Sequence, residues 1–278
     1  MTITFFSLYV FGGSILAGVV GALTGLGGGV ILVPMLVLLF HVNVHYAVGA
    51  SLISVIATSS GATAAYLREG YTNLRVGMFL QVAAACGALL GAFVAVRVHG
   101  RVLAMLFGLT LAFSAYLSFR RREKGAASGR PDRLSHRLRL SSSYPVPGGR
   151  REYQIYHSAG GFMLMLGAGT LSGLLGIGSG AVKVLAMDQM MRLPYKVSTT
   201  TSNFMIGITA AVSVGMYLSK GFIDPGLTMP VMLGVLAGAM IGAKLLMIVR
   251  TEPLRVFFSI TILALALEMI YSSLTGKM

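Results

Sequence analysis

The first 67 residues of the chain contain no Asp, Glu, Lys or Arg. Uncharged apolar stretches then recur at 76–96, 102–119, 154–182, 197–219, 225–243 and 256–267. The hydrocarbon core of a bilayer, about 30 Å thick, needs roughly 20 mainly apolar residues per spanning helix. Helices of a water-soluble domain need a polar outer face, which stretches of this kind cannot supply. The expected fold class is therefore an all-α polytopic membrane protein. The opening residues MTITFFSLYV lack the positive segment of a signal peptide, so 5–24 are expected to remain as a span.

The formal net charge is +14, yet ten of the 22 Lys and Arg lie between Arg120 and Arg151, in one loop between two hydrophobic halves. A basic loop beside spans marks the cytoplasmic side. That loop contains no recognisable nucleic-acid module, so no nucleic-acid partner is expected. The single cysteine, Cys86, lies in an apolar stretch, and the five histidines show no ligating spacing; neither a disulfide nor a metal is expected.

Displaced by 151 residues, the chain matches itself without a gap. The segment 18–29 falls on 169–180, Ser51 on Ser202, Thr58 on Thr209, Tyr66 and Gly70 on Tyr217 and Gly221, and Gly87 and Gly91 on Gly238 and Gly242. Residues 18–92 share sixteen identities with 169–243, where so biased a composition would give roughly six. Each copy holds five hydrophobic segments, at about 5–24, 30–42, 46–67, 76–97 and 102–119, and at about 158–175, 181–193, 197–219, 226–249 and 255–274. The chain thus divides into a first repeat (1–119), a basic cytoplasmic linker (120–153) and a second repeat (154–278). The linker is rich in Arg, Ser, Gly and Pro and reads as a mobile tether.

The second segment of each copy is only about a dozen residues, the length of a half-helix rather than a span. Inverting the second copy keeps Arg68, Arg75, the linker, Arg192, Lys196, Arg250 and Arg255 on the cytoplasmic side. Only Arg97, Arg101 and Lys220 then lie outside. Parallel copies would move Arg192, Lys196, Arg250 and Arg255 outward, so the Lys/Arg bias favours inverted repeats with an external N-terminus.

Gly25, Gly27, Gly28 and Gly29, and at the matching place Gly176, Gly178, Ser179 and Gly180, interrupt long apolar runs. Helices broken at membrane depth occur where the backbone is buried in protein or lines a cavity. Paired interruptions in two halves point to a transporter's binding site. The half-helix that resumes after each cluster offers unpaired N–H groups and a positive dipole end, and glycine lets a ligand approach closely, which suits an anion. The competing reading is close helix packing, which is the simplest account of Gly87 with Gly91 and of Gly238 with Gly242. Residues 176–181 fit a G-x-G-x-x-A dinucleotide fingerprint but lack its strand and βαβ context. Ser179 has no histidine in a later span to activate it as a nucleophile.

The second copy adds polar groups. Lys183 stands where the first copy has Leu32, and Asp188 where it has Val37. An ionisable residue inside the membrane is a functional-site hypothesis by default. Lys183 follows Gly180 by three residues and either faces the same anion or snorkels to the interface. Asp188 either couples protons or pairs with Arg192. In the run 198–203, Ser198 reads as a helix cap. Ser202 and Asn203 lie a turn deeper and are expected in the site, with Ser51 as the first-copy counterpart of Ser202.

Gly21-Ala-Leu-Thr-Gly-Leu-Gly-Gly-Gly-Val-Ile-Leu-Val-Pro34, Ala47-Val-Gly-Ala-Ser-Leu-Ile-Ser54, Gly61, Gly70 and the Gly87, Gly91 pair resemble the TauE/SafE family of sulfite and organosulfonate exporters. The resemblance covers both halves apart from the linker. It implies an inner-membrane transporter of bacteria or archaea for sulfite, sulfoacetate or related sulfur oxyanions. The family's glycine motif falls on Gly25, Gly27, Gly28 and Gly29, and on Gly176, Gly178 and Gly180. The second half departs from it: Gly178-Ser-Gly-Ala-Val-Lys-Val-Leu185 has a lysine and no proline where the family repeats G-G-G-x-x-x-V-P.

The expected function is secondary transport, as an exporter of small sulfur-containing oxyanions. Expected partners are that anion, the bilayer, a coupling ion and a second copy in a homodimer. No cofactor is expected, because the chain has no nucleotide-binding motif. An intramembrane enzyme would need a nucleophile–base pair or metal constellation that the spans lack. The remaining alternatives are another small anion as cargo, or a non-transporting assembly partner that works through the basic linker.

Overall fold

The computed structural model describes residues 3–24, 28–68, 70–119, 132–146, 149–246 and 251–275, which form eleven helices and one β-hairpin. The first half comprises α1 (Ile3–Thr24), α2 (Gly29–Pro34), α3 (Val44–Arg68), α4 (Leu74–Ala95) and α5 (Gly100–Phe119). Between the halves lie α6 (Arg133–Arg137), β1 (Ser142–Val146) and β2 (Gly149–Tyr153), the two strands pairing antiparallel. The second half comprises α7 (Ser158–Leu175), α8 (Gly180–Leu185), α9 (Tyr195–Ser219), α10 (Pro225–Leu246) and α11 (Thr251–Thr275). Val44–Gly61, Leu74–Ala95, Ser158–Leu175, Tyr195–Ser219 and Pro225–Gly242 are long and apolar enough to cross a membrane, and shorter apolar helices cover Phe5–Gly21, Gly29–Leu39, Gly100–Tyr116 and Ile260–Thr275. The all-α polytopic class expected from the sequence is the one the chain adopts.

Backbone details recur between the halves. The bounds of α2, α3 and α4 reappear 151 residues later as those of α8, α9 and α10. A π-helical turn extends α2 over Met35–Leu39 and another extends α8 over Ala186–Met190. A left-handed residue follows each turn, His41 (φ 51°) and Arg192 (φ 58°). The α3–α4 and α9–α10 connections each turn on a left-handed glycine, Gly70 (φ 73°) and Gly221 (φ 72°). The helix after each connection starts on a short polar side chain that accepts a first-turn amide: Asn73 from Val76 at 3.1 Å, and Asp224 from Leu227 at 3.1 Å.

The principal helix pairs cross between the halves, α1 against α10 and α4 against α7. Bare backbone makes these crossings possible. A Cβ on Gly87 would stand 2.1 Å from the carbonyl oxygen of Leu166, and one on Gly173 2.1 Å from that of Ala88. At the other crossing, a Cβ on Gly238 would stand 2.1 Å from the carbonyl oxygen of Ile15, and one on Gly18 2.3 Å from that of Val235. Lipid tails are as apolar as leucine, so helices in a bilayer associate through this kind of close van der Waals approach. Leu8, Leu16, Met78, Phe113 and Leu267 stay exposed on the outer surface, where a soluble protein would carry polar groups.

Equivalent helices of the two halves also meet, and they run antiparallel. The hydroxyl of Ser273, late in α11, donates to the Arg101 carbonyl at the start of α5 (2.8 Å), while Gly108 further along α5 packs on Ala266 and Ile270. Early in α3, Gly49 abuts Phe222 just beyond α9, and later in α3 Ser59 abuts Gly207.

The C-terminal part of the linker carries more structure than a tether. The side-chain amide of Asn73 donates to the Leu140 carbonyl (2.9 Å) and the Tyr153 hydroxyl (2.7 Å), so the hairpin is fastened to the start of α4. Arg75 donates to the Arg139 carbonyl at 3.1 Å. Asp132 accepts from the backbone and hydroxyl of Ser158 at the start of α7, and the hydroxyl contact holds its carboxyl below the usual range. Composition concealed this docking because its anchors, the buried Leu140 and Ser135 and the half-buried Tyr153, are sparse among exposed arginines and serines.

Candidate functional site

Between α7 and α8 the chain leaves helical geometry for four residues. Gly176 (φ 68°), Gly178 (φ 70°) and Ser179 (φ 43°) all sit in the left-handed region, which costs a residue with a Cβ far more than glycine. Ser179 tolerates it with its hydroxyl bonded to the Ala168 carbonyl. Residues 176–180 are all buried, so this non-helical backbone is enclosed by protein. Gly28, at the start of α2, has ordinary helical angles (φ −59°, ψ −22°). Glycine is needed there for space instead, since a Cβ would lie 2.9 Å from Cγ1 of Val235. Gly25 and Gly27 lie outside the described residues.

The two interruptions touch. The Ser51 hydroxyl, on α3, donates to the Gly176 carbonyl at 2.9 Å. A Cβ on Gly29 would stand 2.6 Å from that hydroxyl oxygen and 3.0 Å from the Gly176 carbonyl oxygen. Gly176 in turn rests on Val48, one turn before Ser51. The first half-helix, the break in the second half and the buried start of α3 therefore share one point.

On α9, the Ser202 hydroxyl lies 3.4 Å from the Gly180 carbonyl, and Asn203 is 9 % exposed. The capping role expected for Ser198 does not hold. Pro194 occupies the cap position, where its missing N–H costs nothing, so the helix begins earlier and Ser198 falls inside it. The buried Ser198 hydroxyl has no partner among the described residues.

Lys183 does not snorkel. It is fully buried, and its ammonium donates to the Thr209 hydroxyl at 2.7 Å. No carboxylate among the described residues pairs with it. An ammonium held by a single neutral hydroxyl is costly to bury, and an arriving anion would offset that cost. Thr209 also receives the side-chain amide of Gln81 from α4 at 3.4 Å and donates to the Met205 carbonyl at 2.6 Å. Sequence reasoning passed over both residues. Gln81 was detectable as the one carboxamide within 76–96, an intramembrane polar group that must find partners.

A family model described as sulfite exporter TauE/SafE matches residues 10–269. The chain belongs to the TauE/SafE family. It is similar over 98 % of its length to the probable membrane transporter protein YunE of Bacillus subtilis (strain 168), at 26 % identity and covering 99 % of that protein. YdhB of the same organism, also a probable membrane transporter protein, is 30 % identical over 82 % of this chain and 86 % of its own. A probable membrane transporter protein of Xylella fastidiosa (strain 9a5c) is 24 % identical over 98 % of both chains. No solved structure matches. This TauE/SafE chain is a multi-pass membrane transporter, and its bacterial relatives are in keeping with the inner membrane.

Proposed function

We propose that this TauE/SafE chain is a secondary transporter that exports small sulfur-containing oxyanions, sulfite or organosulfonates. The anion binds where the interrupted helices converge. The contact of Gly29 with Gly176 through Ser51 carries this reading, because it brings both breaks to one buried place. Half-helix N-termini supply amides without intrahelical partners and a positive dipole end. Gly28, Gly178 and Gly180 leave the described part of that backbone without side chains. Ser51, Ser179, Ser202 and Asn203 contribute hydrogen bonds, and Lys183 contributes charge. The sulfur-oxyanion class rests on the description of the family.

The two repeats are inverted in this reading. The antiparallel crossings of α5 with α11 and α3 with α9 support it, since copies related by a two-fold axis in the membrane plane present equivalent helices in opposite senses. The basic linker then faces the cytoplasm and the site lies near the midplane. An ion gradient or the substrate's own gradient drives transport. Proteoliposomes loaded with radiolabelled sulfite should lose label faster than protein-free vesicles, and organosulfonates should compete where simple carboxylates do not. Equal loss from both vesicle types, or competition by carboxylates alone, refutes the assignment.

A further inference from the structure

We infer that Gln81 and Lys183 form the selective end of the substrate site, and that they favour an oxyanion that also carries an O–H or N–H donor. This rests on the site reading above and narrows the substrate class within it. A hydroxyl has one hydrogen to donate and two lone pairs. Thr209 uses all three: it donates to the Met205 carbonyl and accepts from Lys183 and from Gln81. Because the hydroxyl hydrogen is committed to Met205, Gln81 must present its NH2 to Thr209, and its carbonyl oxygen is turned elsewhere. That oxygen is buried with no partner among the described residues, in a side chain only 8 % exposed. Lys183, fully buried, has used one of its three hydrogens.

The two side chains that meet on Thr209 are therefore left with unused capacity of opposite kinds, a cationic donor and a neutral acceptor. A ligand satisfies both only if it accepts at one end and donates at another. A bare oxyanion pairs with Lys183 but sets its own lone pairs against the Gln81 oxygen. The fold does not require this polarity. At the positions displaced by 151 residues the chain has Leu32 for Lys183 and Met232 for Gln81. The counterpart of Thr209, Thr58, bonds back to the Ser54 carbonyl of its own helix at 3.1 Å. The repeat thus accommodates apolar side chains at both positions, so the polar trio around Thr209 serves something besides packing. A buried acceptor left unpaired is destabilising, which makes its presence informative.

Calorimetric titration of the purified full chain with ethanesulfonate, 2-methoxyethanesulfonate and 2-hydroxyethanesulfonate at one pH tests this. Only the last carries a donor. Wild type should bind it about ten-fold more tightly than the other two. Gln81→Met, similar in length, should bring the three affinities to within about two-fold of one another, and Lys183→Met should weaken all three. Equal affinities in the wild type, as expected if water alone partners the Gln81 oxygen, overturn the inference. A preference that survives in Gln81→Met overturns it as well. Binding of none of the three overturns this inference, and the sulfur-oxyanion reading falls with it if sulfite, titrated alongside, is not bound either; tight but indiscriminate binding removes the inference alone. The wild-type comparison needs no variant to fold.

Discussion

Replacing Gly29 by alanine places one methyl group at the point where the two helix breaks meet. The added carbon would stand 2.6 Å from the Ser51 hydroxyl oxygen, 3.0 Å from the Gly176 carbonyl oxygen and 3.2 Å from Cα of Ile177. The hydroxyl must swing away, which sacrifices its 2.9 Å bond to Gly176. Interhelical hydrogen bonds in membrane proteins are worth about 0.6 kcal/mol on average and up to ~1.7. Overpacking a close contact adds roughly 1–3 kcal/mol. Gly29→Ala should therefore destabilise by roughly 2–4 kcal/mol and abolish sulfite flux. Ser51→Ala, which loses only the bond, should cost about 1 kcal/mol. The double variant should cost less than the sum of the two, because removing the hydroxyl makes room for the methyl. Gly167→Ala is the control: that glycine is exposed in α7 with nothing within 4 Å, so alanine there should gain roughly 0.5–1 kcal/mol. Reversible SDS unfolding in mixed micelles gives the four free energies. A Gly29→Ala protein as stable and as active as wild type would refute the contact between the breaks.

Three further outcomes are expected. Lys183→Met should weaken anion binding ten-fold or more, about 1.4 kcal/mol, and Lys183→Arg should keep part of the affinity; unchanged titration curves for the methionine variant would remove Lys183 from the site. Gly87→Leu puts a side chain where even a Cβ lies 2.1 Å from the Leu166 carbonyl, so folded yield by gel filtration should collapse, and normal yield would contradict the α4–α7 crossing. In a Cys86→Ser background, Ser128→Cys should react with impermeant thiol reagents only from the cytoplasmic face and Thr2→Cys only from the outer face, whereas labelling of both from one face would support parallel repeats.

The properties legible in the sequence are those that need only one dimension of it. Membrane residence follows from the length of uncharged apolar runs. The duplication follows from identities displaced by a constant number, and element bounds recur at that same spacing. The half-helices were visible because glycine clusters cut runs too long to be one span. Even so, φ values distinguish what the glycine letters do not: Gly176 and Gly178 need left-handed backbone, while Gly28 needs room beside Val235. The docked hairpin was hidden because its hold on Asn73, through Tyr153, pairs residues 80 positions apart within a polar sequence.

Only the tertiary structure decided which polar groups meet. Ser51 reaches Gly176 across 125 residues, Gln81 reaches Thr209 across 128, and Lys183 turns inward to Thr209 rather than outward to the interface. In water, the polar face of a helix shows how it is rotated. In lipid, the inner and outer faces of a helix are both apolar, so rotation and crossing are set by where small residues let backbones approach. Those approaches join distant parts of the chain, and no local pattern of hydrophobicity records them.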